Sequence, residues 1–409
     1  MKQETFKQTE IGRIPKEWEV VRLREVLDLL RNGLVTKQNK DGKGIPVTRI
    51  ETISEERIDV EKVGYIEEIS EKEISEYRLR HGDILFSHIN SLEHIGKTAI
   101  YNGDPPLLLH GMNLLLLRPQ KTIVEPHYLL HLLKHRRAKA IFRHMSKKAV
   151  NQASINQTEL GRFPIPLPPL PEQQKIAEIL STVDSAIEKV NQAIEKTQRL
   201  KKGLMQELLT KGIGHKEFKD TEIGRIPKEW EVVRLGEIFD IQVGGDIYKL
   251  NFSKQKNERY KFPIYSNSLE NNGLYGYADT YQYPENCITV TGRGTLGRAT
   301  PRFEKFNAII RLLVLIPKAN ISIMFVSEYI NARIGFRVEK TSIPQLTAPK
   351  LAKYKLPLPP LPEQQKIAEI LSTVDKRLEL LRAKKEKLER IKKGLMNDLL
   401  TGKRRIRIC

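Results

Sequence analysis

The sequence predicts an internally duplicated α/β (α+β) protein. Two domain-sized inserts are joined by two long antiparallel coiled-coil helices with a pseudo-two-fold repeat. Three observations predict it. The fifteen residues TEIGRIPKEWEVVRL occur at Thr9–Leu23 and, letter for letter, at Thr221–Leu235. PLPPLPEQQKIAEILSTVD fills Pro166–Asp184 and again Pro357–Asp375. KKGLM echoes at Lys201–Met205 and Lys392–Met396. The order box, insert, Pro-rich stretch, long helix therefore runs twice, at a period far too long for a solenoid.

The elements can be taken in chain order. Each box carries one of the only two tryptophans, Trp18 and Trp230, which are expected as buried anchors. The inserts, roughly 24–163 and 236–355, share little obvious sequence. The box offset is 212 residues and the helix offset 191, so the first insert is longer by 21. Strand-like stretches GIPVTRI and GDILFSHI precede a helix near Pro126–Met145 in the first. KFPIYSN, NCITVTG and AIIRLLVLI precede a helix near Ser322–Val338 in the second. The domain limits expected are 1–165 for the first box and insert, 166–212 for the first long helix and 213–356 for the second box and insert. The second long helix takes 357–402 and a basic tail 403–409.

The helices follow from a sustained seven-residue repeat. Ile176, Val183, Val190, Thr197 and Leu204 form one seam of the first, with Leu180, Ile187, Ile194 and Leu208 beside them. Ile367, Val374, Leu381, Leu388 and Leu395 repeat it in the second, with Leu371, Leu378 and Leu399. Pro171 and Pro362 stand in the first turn, where a helix tolerates proline. Glu172 and Glu363 suit the positive end of the helix dipole, and Gly212 and Gly402 lie just past the ends as stop signals. About 38 residues at 1.5 Å each make a helix of about 57 Å. The short connection from the first helix to the second box places the second insert at that helix's far end. The second helix must then run back, antiparallel, and the first box should pack at its end. The repeated box is thus read as the closure at each end of a two-fold frame.

The formal charge is +20, from 70 Lys+Arg against 50 Asp+Glu, which favours a polyanionic partner, nucleic acid first. Two cysteines, Cys287 and Cys409, make no disulfide framework. No apolar run reaches the roughly 20 residues of a membrane span, so no membrane partner and a cytoplasmic location are expected. Two unlike heads on one basic frame fit an asymmetric, bipartite double-stranded DNA site.

At this point the residues resemble a known family, the specificity subunits of type I restriction–modification enzymes. The Pro-rich lead into Glu172, Gln173 and Gln174 is typical of it, as is the G-x-I-P-x-x-W box before each insert. The resemblance covers the whole chain in order. It implies two target-recognition domains, each reading half of a split DNA sequence. It implies helices that dock two methyltransferase (modification) subunits, with restriction/translocase subunits further out. It also implies a chain that is not itself an enzyme. S-adenosylmethionine, ATP and Mg²⁺ would belong to partner subunits, with no cofactor in this chain.

Candidate DNA-contacting residues follow from side-chain chemistry: Asn and Gln suit adenine, Arg and Lys suit guanine or phosphate. SHINSLEHIGK offers His88, Asn90, Ser91 and Lys97. SKKAVNQASINQ adds Lys147, Lys148, Asn151, Gln152 and Asn156. Arg49 is a candidate through the family resemblance. In the second insert GRGTLG and its flank give Arg293, Thr295 and Arg298, and EKTSIPQLT gives Lys340, Ser342 and Gln345. GRGTLG is a literal G-x-G-x-x-G, yet no acidic residue stands some 20 positions on and Pro301 follows closely. A basic loop or plain turn is therefore preferred to a dinucleotide site. DPPL at Asp104–Leu107 lacks the aromatic of an adenine-methyltransferase motif and is read as a turn. His127, His131 and His135 fall at i, i+4 and i+8, but no HExxH and no completing ligands accompany them, so no metal site is expected. The basic tail is read as backbone attraction or a disordered end. Two other readings stay open. One is a self-contained DNA methyltransferase; the other is a coiled-coil scaffold with sequence-blind DNA affinity.

Overall fold

The computed structural model describes residues 6–149, 152–247, 251–336 and 345–406, with backbone alone at 148 and 149. The chain divides into two compact units, Met1–Asn191 with Lys384–Cys409, and Gln192–Ala383. The first unit is therefore closed by the C-terminal part of the chain. Both long helices, Leu170–Leu208 and Leu361–Leu399, pass from one unit into the other.

In the first unit the box forms a hairpin, Phe6–Thr9 with Gly12–Pro15. Its next strand, Glu19–Arg22, pairs with Pro164–Leu167, the strand that leads into the long helix. The insert is built on a four-stranded antiparallel sheet ordered Leu27–Asn32, Leu115–Pro119, Ile84–Phe86, Thr98–Ile100. The second unit repeats this plan. Its hairpin is Phe218–Thr221 with Gly224–Pro227, and Glu231–Arg234 pairs with Lys355–Leu358. Its main sheet is ordered Phe239–Val243, Leu313–Pro317, Cys287–Val290, Ala299–Arg302. Two inserts with little shared sequence thus keep one strand order. The inner strands, Leu115–Pro119 and Ile84–Phe86 in one unit and Leu313–Pro317 and Cys287–Val290 in the other, are apolar runs buried on both faces, so a run of β-formers rather than a particular sequence specifies the sheet.

Two segments differ from the sequence reading. The helix expected over Pro126–Met145 is two, Pro126–Lys134 and Arg136–Met145, broken where His135 takes extended backbone. AIIRLLVLI is not one strand. Asn307–Ala308 and Leu313–Pro317 are separated by a corner in which Ile310 and Arg311 both have positive φ.

The helices pair antiparallel within each unit. In the first, Asp184 of the first helix meets Lys392 of the second at 2.6 Å. In the second, Lys201 meets Asp375 at 2.7 Å. Ile176, Leu180, Val190, Thr197, Ile367, Leu371 and Leu378 are buried, while Val183, Leu204, Val374, Leu381, Leu388 and Leu395 are half-buried. A seam shared by two helices leaves its margins open to water, so partial burial of that set is expected.

The E-Q-Q signature acquires a mechanical reason. Trp18 and Trp230 are both fully buried. Trp18 Nε1 donates to Glu172 at 3.0 Å, and Trp230 Nε1 to Glu363 at 2.9 Å. Gln173 accepts from the Glu125 amide at 3.0 Å and donates to the Pro168 carbonyl at 2.8 Å. Gln364 accepts from the Ser322 amide at 2.9 Å and donates to the Pro359 carbonyl at 2.8 Å. The glutamate ties the helix start to the box; the first glutamine ties it to the insert helix. The basic tail needs correction. Arg405 donates to Glu172 at 2.7 and 3.0 Å and to Glu17 at 2.8 Å. It is a structural clasp rather than a loose end. In the second unit His215 takes that place, 2.8 Å from Glu363.

Candidate nucleic-acid interface

In the first unit the structure joins the two polar stretches that the sequence had offered separately. Ile89–Asn90, Gln152–Ser154 and Lys147–Ala149 form one antiparallel sheet, with Asn90 opposite Ala153 and Lys147 opposite Ser154. Gln152 and Lys147 are exposed on it. Asn90 is half-buried and donates to Ser87 Oγ at 3.1 Å, while Ser91 turns the chain back toward the core. Three candidates are committed elsewhere. His88 is only 8% exposed, and burial lowers its pKa to about 4, so it is a neutral support behind the sheet. Lys97 Nζ donates to the Ser54 carbonyl at 2.6 Å, strapping the loop to Ile50–Ile53. Asn156 caps Gln157–Gly161 by accepting from the Glu159 amide at 2.7 Å. The Lys148 side chain and Asn151 lie outside the described residues, as do Lys340 and Ser342.

Arg49 lines a separate cleft of about 490 Å³ with Gln38, Glu51, Met112 and Asn113. Its Nη1 donates to Gln38 at 3.2 Å and Glu51 stands 3.5 Å from its Nε. Asn113 has φ +69, a left-handed corner that Asn tolerates well.

The second unit builds its corresponding edge from five segments held together by hydrogen bonds. Asn267 Oδ1 accepts from the amides of Gly292 and Arg293 at 2.8 and 3.3 Å, and its Nδ2 donates to the Ile310 carbonyl at 2.6 Å. The Gly245 amide donates to Ala308 at 3.0 Å, and Leu346 N to Gly292 O at 3.0 Å. GRGTLG is thus a loop of the hairpin Cys287–Val290 to Ala299–Arg302, with no helix starting from it. This removes the phosphate-binding geometry of a dinucleotide fold. Arg293 is half-buried and its Nε has no hydrogen-bond partner among the described residues, while Thr295 and Arg298 are exposed. Gln345 is half-buried beside Leu346.

Sequence reasoning missed Asn267, Ile310 and Arg311. Ile310 is 46% exposed with φ +55, an uncommon state for a β-branched side chain. Asn and Arg at a loop tip carry no local signal. Only long-range hydrogen bonds show that Asn267 joins the two turns.

The remaining motifs settle as structure. His131 is 1% exposed and stands 3.4 Å from Ser181 Oγ; burial holds its pKa near 3. No group of His, Cys, Asp and Glu suited to a metal occurs among the described residues. Among the described residues no helix is long and apolar enough to cross a membrane.

A duplicated frame carrying two polar, basic loop clusters defines a DNA-reading class of protein. The type I restriction modification DNA specificity domain matches residues 15–197 and 227–390. The chain is 46% identical, over 99% of its length and 98% of the relative's, to a putative type I restriction enzyme MjaX specificity subunit of Methanocaldococcus jannaschii. It is 29% identical, over 99% and 97%, to the MjaVIII specificity subunit of the same organism. The crystal structure of the S subunit of a type I restriction–modification system from M. genitalium shares the fold at a TM-score of 0.63. That match covers 94% of this chain and 96% of the other, at 16% identity. The chain belongs to the family of type I restriction–modification DNA specificity subunits.

Proposed function

We propose that each insert reads one half of an asymmetric, bipartite double-stranded DNA site. The first unit would use the sheet bearing Lys147 and Gln152 and the cleft bearing Arg49. The second would use the turns around Arg293, Thr295, Arg298, Gln345 and Arg311. The observation that carries this is the repeated fold edge with unlike side chains: one strand order, two chemistries. The chain itself is non-catalytic on this reading and holds no cofactor. Methyltransferase subunits, two by the pseudo-symmetry, dock on the helices and bring S-adenosylmethionine. Restriction/translocase subunits bring ATP and Mg²⁺, and the assembly works in the cytoplasm. The test is selection from a random DNA pool by the chain with its methyltransferase partner, near physiological salt. Two short, unlike half-sites at one spacing are expected. A single contiguous motif, or nothing above background, would overturn the reading. A companion titration with S-adenosylmethionine should give no heat from the isolated chain.

A further inference from the structure

An open cleft of about 580 Å³ in the second unit lies apart from the base-reading turns except for one shared residue. Its walls are the last turns of the first long helix, the facing stretch of the second, and the end of the insert helix Ile323–Arg333. Lys201, Lys202, Arg298, Arg333 and Arg382 line it, with Asp375 as the only carboxylate among the lining residues. Lys201 is already neutralised, 2.7 Å from Asp375 and 3.8 Å from Glu328. The other four cations make no ion pair among the described residues. Four cations without a direct ion pair round one concavity, of which Arg298 alone feels the charge of Glu328, focus a positive potential into it.

The repeated frame does not by itself produce this charge. At a helix offset of 191 residues, Lys201, Lys202 and Asp375 correspond to Lys392, Lys393 and Asp184. Arg382, however, corresponds to Asn191, and Gln198, which also lines the cleft, to Glu389. The second half has gained a cation and lost an acid at these two cleft positions, in a stretch where the two helices have diverged. Arg298 then links the cleft to the hairpin loop proposed to read bases, since it directly follows Gly297.

We propose that this cleft grips the sugar–phosphate backbone of DNA beside the second half-site, so that the long helices contact DNA themselves. The proposal rests on the DNA-reading function above, and phosphate is the chemistry recognised. Each neutralised phosphate contributes about 0.9 to the slope of log affinity against log salt. The experiment measures that slope for the chain in complex with its methyltransferase partner, on random-sequence duplex as well as on any selected site. In the triple variant Lys202→Gln, Arg333→Gln, Arg382→Gln the slope should fall by about 2 to 3. Affinity should fall for both DNAs alike, and base preference should stay unchanged. Gln206→Lys, which adds a cation to the same wall, should steepen the slope by about 1. Unchanged slopes in both variants would overturn the proposal. So would binding of ATP to the wild type that the triple variant loses while the DNA slopes stay put, which would make the cleft a nucleotide site. Because the change of slope between variant and wild type on random DNA needs no base reading, failure to select a bipartite site would sink the half-site reading and leave this test intact.

Discussion

Glu172 takes an indole N–H and a guanidinium on one buried carboxylate, and with them joins the first box, the first long helix and the C-terminal tail. Removing its charge takes the buried carboxylate from Arg405 and leaves it only the exposed Glu17 as an anionic partner. Glu172→Gln should lower the stability of the first unit by about 3 kcal/mol, read as the loss in a urea titration. An unchanged midpoint would show that water replaces the carboxylate freely. Only half of this was legible. The position of Glu172 in a first helical turn is a local pattern; its union with Trp18 and Arg405 spans 154 and 233 residues and leaves no local trace. The reading side chains behave likewise. Residue type alone proposed His88, Lys97 and Asn156, and each turned out to support the scaffold. Arg293 remains beside the Asn267 turn with an Nε that has no partner among the described residues. Arg293→Ala should weaken specific binding by about 1–3 kcal/mol and relax preference in one half-site only. Relaxation in both would contradict independent heads.

At the scale of elements, the heptad pattern was the strongest signal, and both long helices are 39 residues. Periodicity over that length survives any single exception. Short elements did not share this security. A break at His135 needs only one residue in extended backbone, and nothing in YLLHLLKHRRAKAIF announces it. The corner at Ile310–Arg311 is set by turns packed around it rather than by its own residues, which disfavour positive φ. Seam depth also sorts the helix residues. Leu371 is fully buried in the second core, whereas Leu380 is 72% exposed. Leu371→Ala should cost about 2–5 kcal/mol and Leu380→Ala close to none. Equal effects in thermal melts would mean that the helices separate without unfolding the unit.

Over the whole molecule the two units share a plan but not a titration behaviour. Eight of the nine histidines fall in the first insert. Burial holds His88, His110 and His135 near pKa 4 and His131 near 3, below the ordinary 6.5. These groups stay neutral when folded and take up protons when unfolded. Between about pH 6.5 and 4 the unfolded chain therefore binds more protons, and stability falls as pH falls. Hydrogen exchange at pH 5, corrected for intrinsic rate, should show residues 6–149 losing protection relative to pH 7 more than residues 251–336. Equal loss in both segments would refute this. The duplication, the frame and its polyanionic partner were legible because exact repeats, long periods and net charge are properties of whole segments. The turns proposed to read bases are instead held by partners that lie far apart in sequence.

The clasp at Arg405 also sets an order of events during synthesis. The first unit begins ahead of the second in the chain, yet it includes Lys384–Cys409, which are translated after the whole of the second. A ribosome emitting the chain from its start delivers every residue of the second unit, Gln192–Ala383, before the final strip of the first. The half that begins first is therefore completed last, reversing the usual N-terminal-first sequence of co-translational folding. A message cut short after Ala383 would spare the second unit and leave the first without its closing residues.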